Sequence, residues 1–374
     1  MGYDTIEKLA SNEDKLYGYC LDFECENSSY KSLGTIERYL AYKSTGLRID
    51  KTKTALTKAE KFCLHSLNTY GNIPDCDGSD GRNLLTLDIY KKLWNFEKGY
   101  YSFGTISLPN FQGEFGGDTM NSMQTIFSVL MKFTLKKSDN SKLKHYQKNN
   151  YSFLDCLNIY CDYPQEFIFE LQKTPEFVRY ANLYHTLGNM VLVPKRFNSG
   201  RYKKTFDFWD SSLVWLKSNG YSYGNQLMFN KSDFTKYINY FFLWDYVECV
   251  NGEYRIKPLF DSHNNIEMGN VDNTSLWSNI ADELNLKQFL SNACKNIKKR
   301  GVFMSILIRL KGSCNSNLKT LADDYFNIIQ GDFINAVHTD GYNDALMILL
   351  HLLDNYSDEV IKDAKAELLK LIDE

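Results

Sequence analysis

A chain of 374 residues with 24 Phe and 26 Tyr excludes extended disorder, because so much aromatic surface is costly to leave in water. A formal net charge of -3 gives no overall field to gather nucleic acid, so such a contact must be a local patch. With 6 Pro and 22 Gly, long irregular linkers are not expected, and the length suits one large domain or two ordinary ones.

The 9 cysteines are an odd number and none stands in a C-x-x-C pair, which excludes a zinc ribbon and a thioredoxin-type motif. They read as reduced thiols, mostly buried as small hydrophobes, in a cytoplasmic protein without a signal peptide. Residues 237–250 form an apolar run interrupted by Asp245, too short to cross a bilayer, so no membrane partner is expected.

In chain order, Thr35 and Thr57 each open a short helix with an acid in its first turn, Glu37 and Glu60. Residues 71–83 (GNIPDCDGSDGRN) are a loop. They lack the distal Glu of an EF-hand and read as an ordinary surface turn. A helix is expected over 84–94 and a strand over 100–108. Residues 113–122 (GEFGGDTMNS) lead into an apolar helix over 123–133, with Asp118 or Thr119 as the cap. The Lys- and Asn-rich stretch 136–150 is the place for a mobile connection or subdomain boundary. One or two helices cover 165–183, and 190–193 form a short buried strand ended by Pro194. Trp209, Leu213 and Leu216 share one face of a helix over 206–217. Ser232 or Asp233 caps a central helix running to about 250, and 253–256 add a strand. From about 276 the pattern is helical, ending in a stripe of Ile361, Ala364, Leu368, Leu371 and Ile372 behind Ser357 that packs on the body or on a second copy. The expected fold is α+β, predominantly helical with a small sheet. Its main domain is 1–275, with the core at about 84–250, and 276–374 form a helical C-terminal region.

Polar residues gather at 179–210. His185 precedes Gly188-Asn189, the apolar strand follows, and five cations then fall within 195–204, among them Arg196, Arg201 and Lys204. Such a loop can hold phosphates or carboxylates by charge-assisted hydrogen bonds. Asp207 and Asp210 stand one helical turn apart. The plainer reading is that Asn189 and Asn198 stabilise turns, the cations are solvated and Asp207 caps a helix. A second candidate is the Gly116-Gly117-Asp118-Thr119-Met120-Asn121-Ser122 run, where glycines before a helix N-terminus would let an anion approach, with Asp118 and Asn121 as ligand contacts.

The run L-G-N-x-x-L-x-P-x-x-x-N at 187–198 resembles the distal half of the HNH-type (ββα-metal) nuclease module of restriction and phage-defence proteins. Over 153–207 the resemblance implies Asn198 near a metal and Asn189 ordering the turn. Where the module has Asp-His, this chain offers Asp155-Cys156, leaving His185 as the stand-in base. The order of segments over 84–250 also resembles an uncharacterised family of bacterial and phage proteins with no activity to transfer. Arg179 and His185 resemble the Arg–His pair of HEPN-type ribonucleases.

Together these imply a bacterial or phage protein of defence or counter-defence type. It would bind nucleic acid or a nucleotide through 195–204, with Asn189, Arg196, Asn198, Arg201, Lys204, Asp118 and Asn121 as contacts. If it is an enzyme, the chemistry is phosphodiester cleavage, with His185 and Asp207 catalytic and Mg²⁺ or Mn²⁺ held by Asn198 and Asp207. The alternative is a non-enzymatic inhibitor or adaptor whose cationic loop binds an acidic protein.

Overall fold

The computed structural model describes residues 33–50, 52–72, 76–79, 81–96, 105–198, 208–261, 280, 282–312 and 315–355. Its first helices are Thr35–Ser44 (α1) and Lys58–Tyr70 (α2). α2 opens as expected: the Thr57 side chain accepts the Glu60 N–H, and the Glu60 carboxylate accepts the Thr57 N–H. α1 starts at its expected cap, Thr35, so the cap falls one residue earlier. Gly34 takes the cap position, and the Thr35 hydroxyl instead donates to Asn182 Oδ1 at 2.7 Å.

Leu84–Trp94 (α3) is capped by Asn83, which accepts the Thr86 N–H. The loop before it is not a surface turn. Cys76 and Asp77 are buried, and the hydroxyls of Thr86 and Tyr90 donate to their carbonyls at 2.8 and 3.0 Å.

Thr105–Ser107 (β1), Glu114–Thr119 (β2) and Met190–Pro194 (β3) make an antiparallel sheet with β2 in the centre. The glycine run expected to lead into a helix is therefore a strand. Gly117 serves packing: a Cβ on it would lie 1.8 Å from the Asp77 carbonyl, so the 76–79 loop crosses the strand there. The anion-binding reading of this run falls with its geometry, because the next helix, Met123–Lys137 (α4), is capped by Ser122. The Asp118–Val191 pairing leaves Pro194 at the end of an edge strand, where its missing N–H costs no ladder bond.

Beyond α4, Ser141–Lys144 (α5), Phe153–Asp162 (α6), Pro164–Gln172 (α7) and Pro175–Leu183 (α8) pack in succession. The Lys- and Asn-rich connection is tied down: Leu143 is fully buried, Gln147 Nε2 donates to the Leu135 carbonyl, and Tyr146 donates to Asp162. Trp209–Asn219 (α9) follows, then the hairpin Tyr221–Tyr223 (β4) and Gln226–Phe229 (β5).

The central helix expected to reach residue 250 ends at Tyr240 (Phe234–Tyr240, α10). Phe242 adopts φ 57, and Phe242 and Leu243 donate to the Asn239 and Ile238 carbonyls, which closes the helix as a Schellman motif. The chain then pairs Val247–Val250 (β6) with Glu253–Ile256 (β7) around Asn251-Gly252, both at positive φ.

Glu283–Gly312 (α11) is a 30-residue helix, about 45 Å long. Ser316–Gln330 (α12), Asp332–Asn335 (α13) and Gly341–Asp354 (α14) complete the described chain. One apolar cluster extends from Ile36 in α1 to Leu353 in α14. The architecture is α+β, predominantly helical, with small antiparallel sheets and a helical C-terminal region. Among the described residues no helix is long and apolar enough to cross a membrane. The stripe expected at 361–372 and the strand residues 100–104 lie outside the described residues.

Candidate functional site

The Gly-Asn pair is explained by packing. A Cβ on Gly188 would stand 1.9 Å from the Ile297 carbonyl and 2.9 Å from the Gly301 nitrogen, so only a glycine lets this turn seat on α11. Asn189 is fully buried; its Nδ2 donates to the Tyr184 carbonyl at 2.8 Å, and its carbonyl accepts the Met120 N–H. It orders the turn and does not reach a ligand in solvent. The same turn is gripped by Arg300, a residue that sequence reasoning missed. This arginine is fully buried and donates from Nε to the Phe241 carbonyl and from Nη1 to the carbonyls of Gly188 and Met190, at 2.9, 2.9 and 2.6 Å. Loss of hydration lowers its pKa from the ordinary guanidinium value. In the sequence it is one more cation in the run KNIKKR, with nothing local to mark it.

After β3 the chain folds back over β2. Glu114, Gly116 and Asp118 alternate onto one face of that strand, and the 195–198 turn binds there. Lys195 donates its N–H to the Glu114 carbonyl at 2.8 Å, and its ammonium pairs with the Glu114 carboxylate. Phe197 is buried as an anchor, while Arg196 and Asn198 stay exposed. Asn198 Nδ2 donates to Asp118 Oδ1 at 3.1 Å, and the same oxygen accepts the Thr119 N–H at 2.8 Å. Asp118 is 4% exposed, so Asn198 roofs its carboxylate. Two residues picked out for different reasons, 80 positions apart, thus form one polar pair beside a cationic segment.

The other candidates fall elsewhere. Asn121 is wholly buried, accepting the Trp209 N–H at Oδ1 and the Tyr180 hydroxyl at its carbonyl. Its role is to hold α8 and α9, a correction to its reading as a ligand contact. His185 packs its ring on Tyr184 at 4.3 Å and against Tyr42 of α1 at 5.4 Å, and Arg179 pairs with Glu176 at 3.8 Å. Asp210 is no exposed partner for Asp207: it is fully buried, and its Oδ2 accepts the Leu259 N–H at 2.9 Å. Arg201, Lys204 and Asp207 lie outside the described residues.

Compared with known proteins, the chain matches no family model, no curated protein and no solved structure. Its chemistry must be read from its own residues. Asp155-Cys156, offered in place of the module's Asp-His, lies on helix α6, where Asp155 closes a capping box with Ser152. The strand that pairs with β3 is β2, carrying Asp118-Thr119. Among the described residues no three His, Cys, Asp or Glu side chains converge to hold a metal ion.

Proposed function

We propose that the chain binds a phosphate-bearing ligand, nucleic acid or nucleotide, through the cationic loop 195–204, whose first residues, 195–198, contact β2, in a bacterial or phage defence setting. The observation that carries this reading is the Asn198–Asp118 hydrogen bond. It puts an exposed amide and a carboxylate at the base of a segment holding Lys195, Arg196, Arg201, Lys203 and Lys204. The cations would meet phosphate oxygens. A divalent cation between Asp118 and a phosphate would offset the repulsion of like charges, with the Asn198 amide turned to offer its oxygen. Binding is favoured over cleavage because His185, the stand-in base, packs between Tyr42 and Tyr184, and Cys156 follows Asp155 where the HNH-type module has histidine.

The test is binding and cleavage of labelled duplex DNA, RNA and ATP with and without Mg²⁺ or Mn²⁺. Binding that weakens as salt rises is expected. Asn198→Ala and Arg201→Ala should each weaken it about tenfold, or about 1.4 kcal/mol. Asn198 is exposed, so its loss should leave folding intact. No binding to any of the three, or binding untouched by both substitutions, would refute the reading. Metal-dependent cleavage abolished by His185→Ala would make the protein a nuclease instead.

A further inference from the structure

The β4–β5 hairpin leans on the 195–198 turn with one of its faces. Tyr221 and Tyr223 alternate onto that face. There the Tyr221 ring meets Phe197 edge-on at 5.1 Å, and its hydroxyl donates to the Arg196 carbonyl at 2.9 Å. This grip holds Arg196 at φ 69, a left-handed backbone that costs a residue with a side chain about 1 kcal/mol. In return the Arg196 guanidinium lies over the Tyr223 ring, 5.3 Å from its centroid. Arg196 is exposed, and Tyr223 keeps 53% of its surface in water. Gln226 is the cross-strand partner of Tyr223 and is exposed too, so its amide shares the face. A turn that merely reversed the chain would not need a strained arginine, and burial would favour turning this tyrosine inward.

We propose that Arg196, Tyr223 and Gln226 form a stacking platform for an unpaired nucleobase of a single-stranded nucleic acid. The platform rests on the phosphate-binding reading of the neighbouring Asp118–Asn198 site and names the class of its ligand. A ring and a guanidinium plane each offer a flat face on which any base stacks. The positive charge beside the ring suits a ligand that brings phosphate with its base, and the Gln226 amide can both donate to and accept from a base edge. Pairing in a duplex hides these faces, so single strands are preferred.

Fluorescence anisotropy on the full chain tests this with oligo(dT), oligo(U), a duplex, and an abasic strand of equal length and charge. The base-bearing strands should bind about tenfold tighter than the abasic one. Tyr223→Ala should bring that ratio to about one, and Tyr223→Phe should keep it, since the ring suffices. Arg196→Gly should lower the ratio without harming the fold, because glycine accepts the left-handed backbone. The oligo(dT) and oligo(U) arms tell DNA from RNA. Equal binding of base-bearing and abasic strands by the wild type overturns the platform and leaves the phosphate site standing. A ratio that survives Tyr223→Ala also overturns the platform. Failure to bind any strand also overturns the platform, and ATP binding then decides whether the phosphate site stands.

Discussion

Asn239 spends its whole amide in the core. Its Nδ2 faces the carbonyls of Phe333, Ile334 and Ala336 at 3.3, 3.0 and 2.7 Å, while its Oδ1 accepts the Trp244 indole N–H and the Tyr254 hydroxyl at 2.7 and 2.8 Å. Replacing it by alanine strands the Trp244 and Tyr254 donors and takes a donor from the Ile334 and Ala336 carbonyls, while the Phe333 carbonyl keeps the Ala336 N–H and the His338 ring, so Asn239→Ala should cost about 3 kcal/mol in urea unfolding. A loss below about 0.5 kcal/mol would mean water takes over its bonds. Asp245 is the converse case. Burial outweighs the pull of Lys299, 3.2 Å away, and raises its carboxyl above the usual 3.8. Its contribution to stability is thus full below that ordinary value and is lost as pH rises through the raised one, because the unfolded chain gives up the proton first. Asp245→Asn should therefore gain on the wild type between acid and neutral pH. Parallel urea midpoints that keep a constant gap across that window would contradict it.

At the scale of elements, what was legible followed from local rules. Thr57 with Glu60 and the apolar run before Pro194 announce α2 and β3 without reference to the rest of the chain. The helix expected to run to residue 250 misled because aromatic residues lie all round it, whereas the break comes from Phe242, a residue that avoids positive φ. Strand β2 hid behind two glycines, of which Gly117 makes room for the crossing 76–79 loop. Asp118 and Asn198 were each visible, but their meeting depends on the register of β2 against β3, which no local spacing encodes. The Gly188 turn belongs to the same class of non-local constraint. An alanine there meets backbone of α11 at 1.9 Å, and two backbones cannot yield as a flexible side chain can. Gly188→Ala should lose about 3 kcal/mol, at the upper end of overpacking costs. Circular dichroism during urea unfolding measures it, and an unchanged midpoint would show that the turn is free to lift from the helix.

Across the whole molecule, the division drawn near residue 275 meets a core that crosses it. Arg300 of α11 holds carbonyls on β3 and at the end of α10, and the apolar cluster continues without a break into α14. Such a core should unfold as one unit, since opening either half bares the other's apolar face. The cysteines report on this from both sides. Cys63 on α2 and Cys156 on α6 are 1% and 0% exposed, and Cys294 on α11 is half-buried. Burial raises all three thiols, Cys294 to about 12, so none offers much thiolate at neutral pH while folded. Thiol labelling across a urea series, read peptide by peptide by mass spectrometry, should then show the three sites reacting over the same range in which tryptophan fluorescence changes. If Cys294 were labelled while Cys63 and Cys156 stayed protected, α11 would be a separable annex. The Arg300 bonds would then be too weak to couple it to the sheet, and the boundary near 275 would be restored.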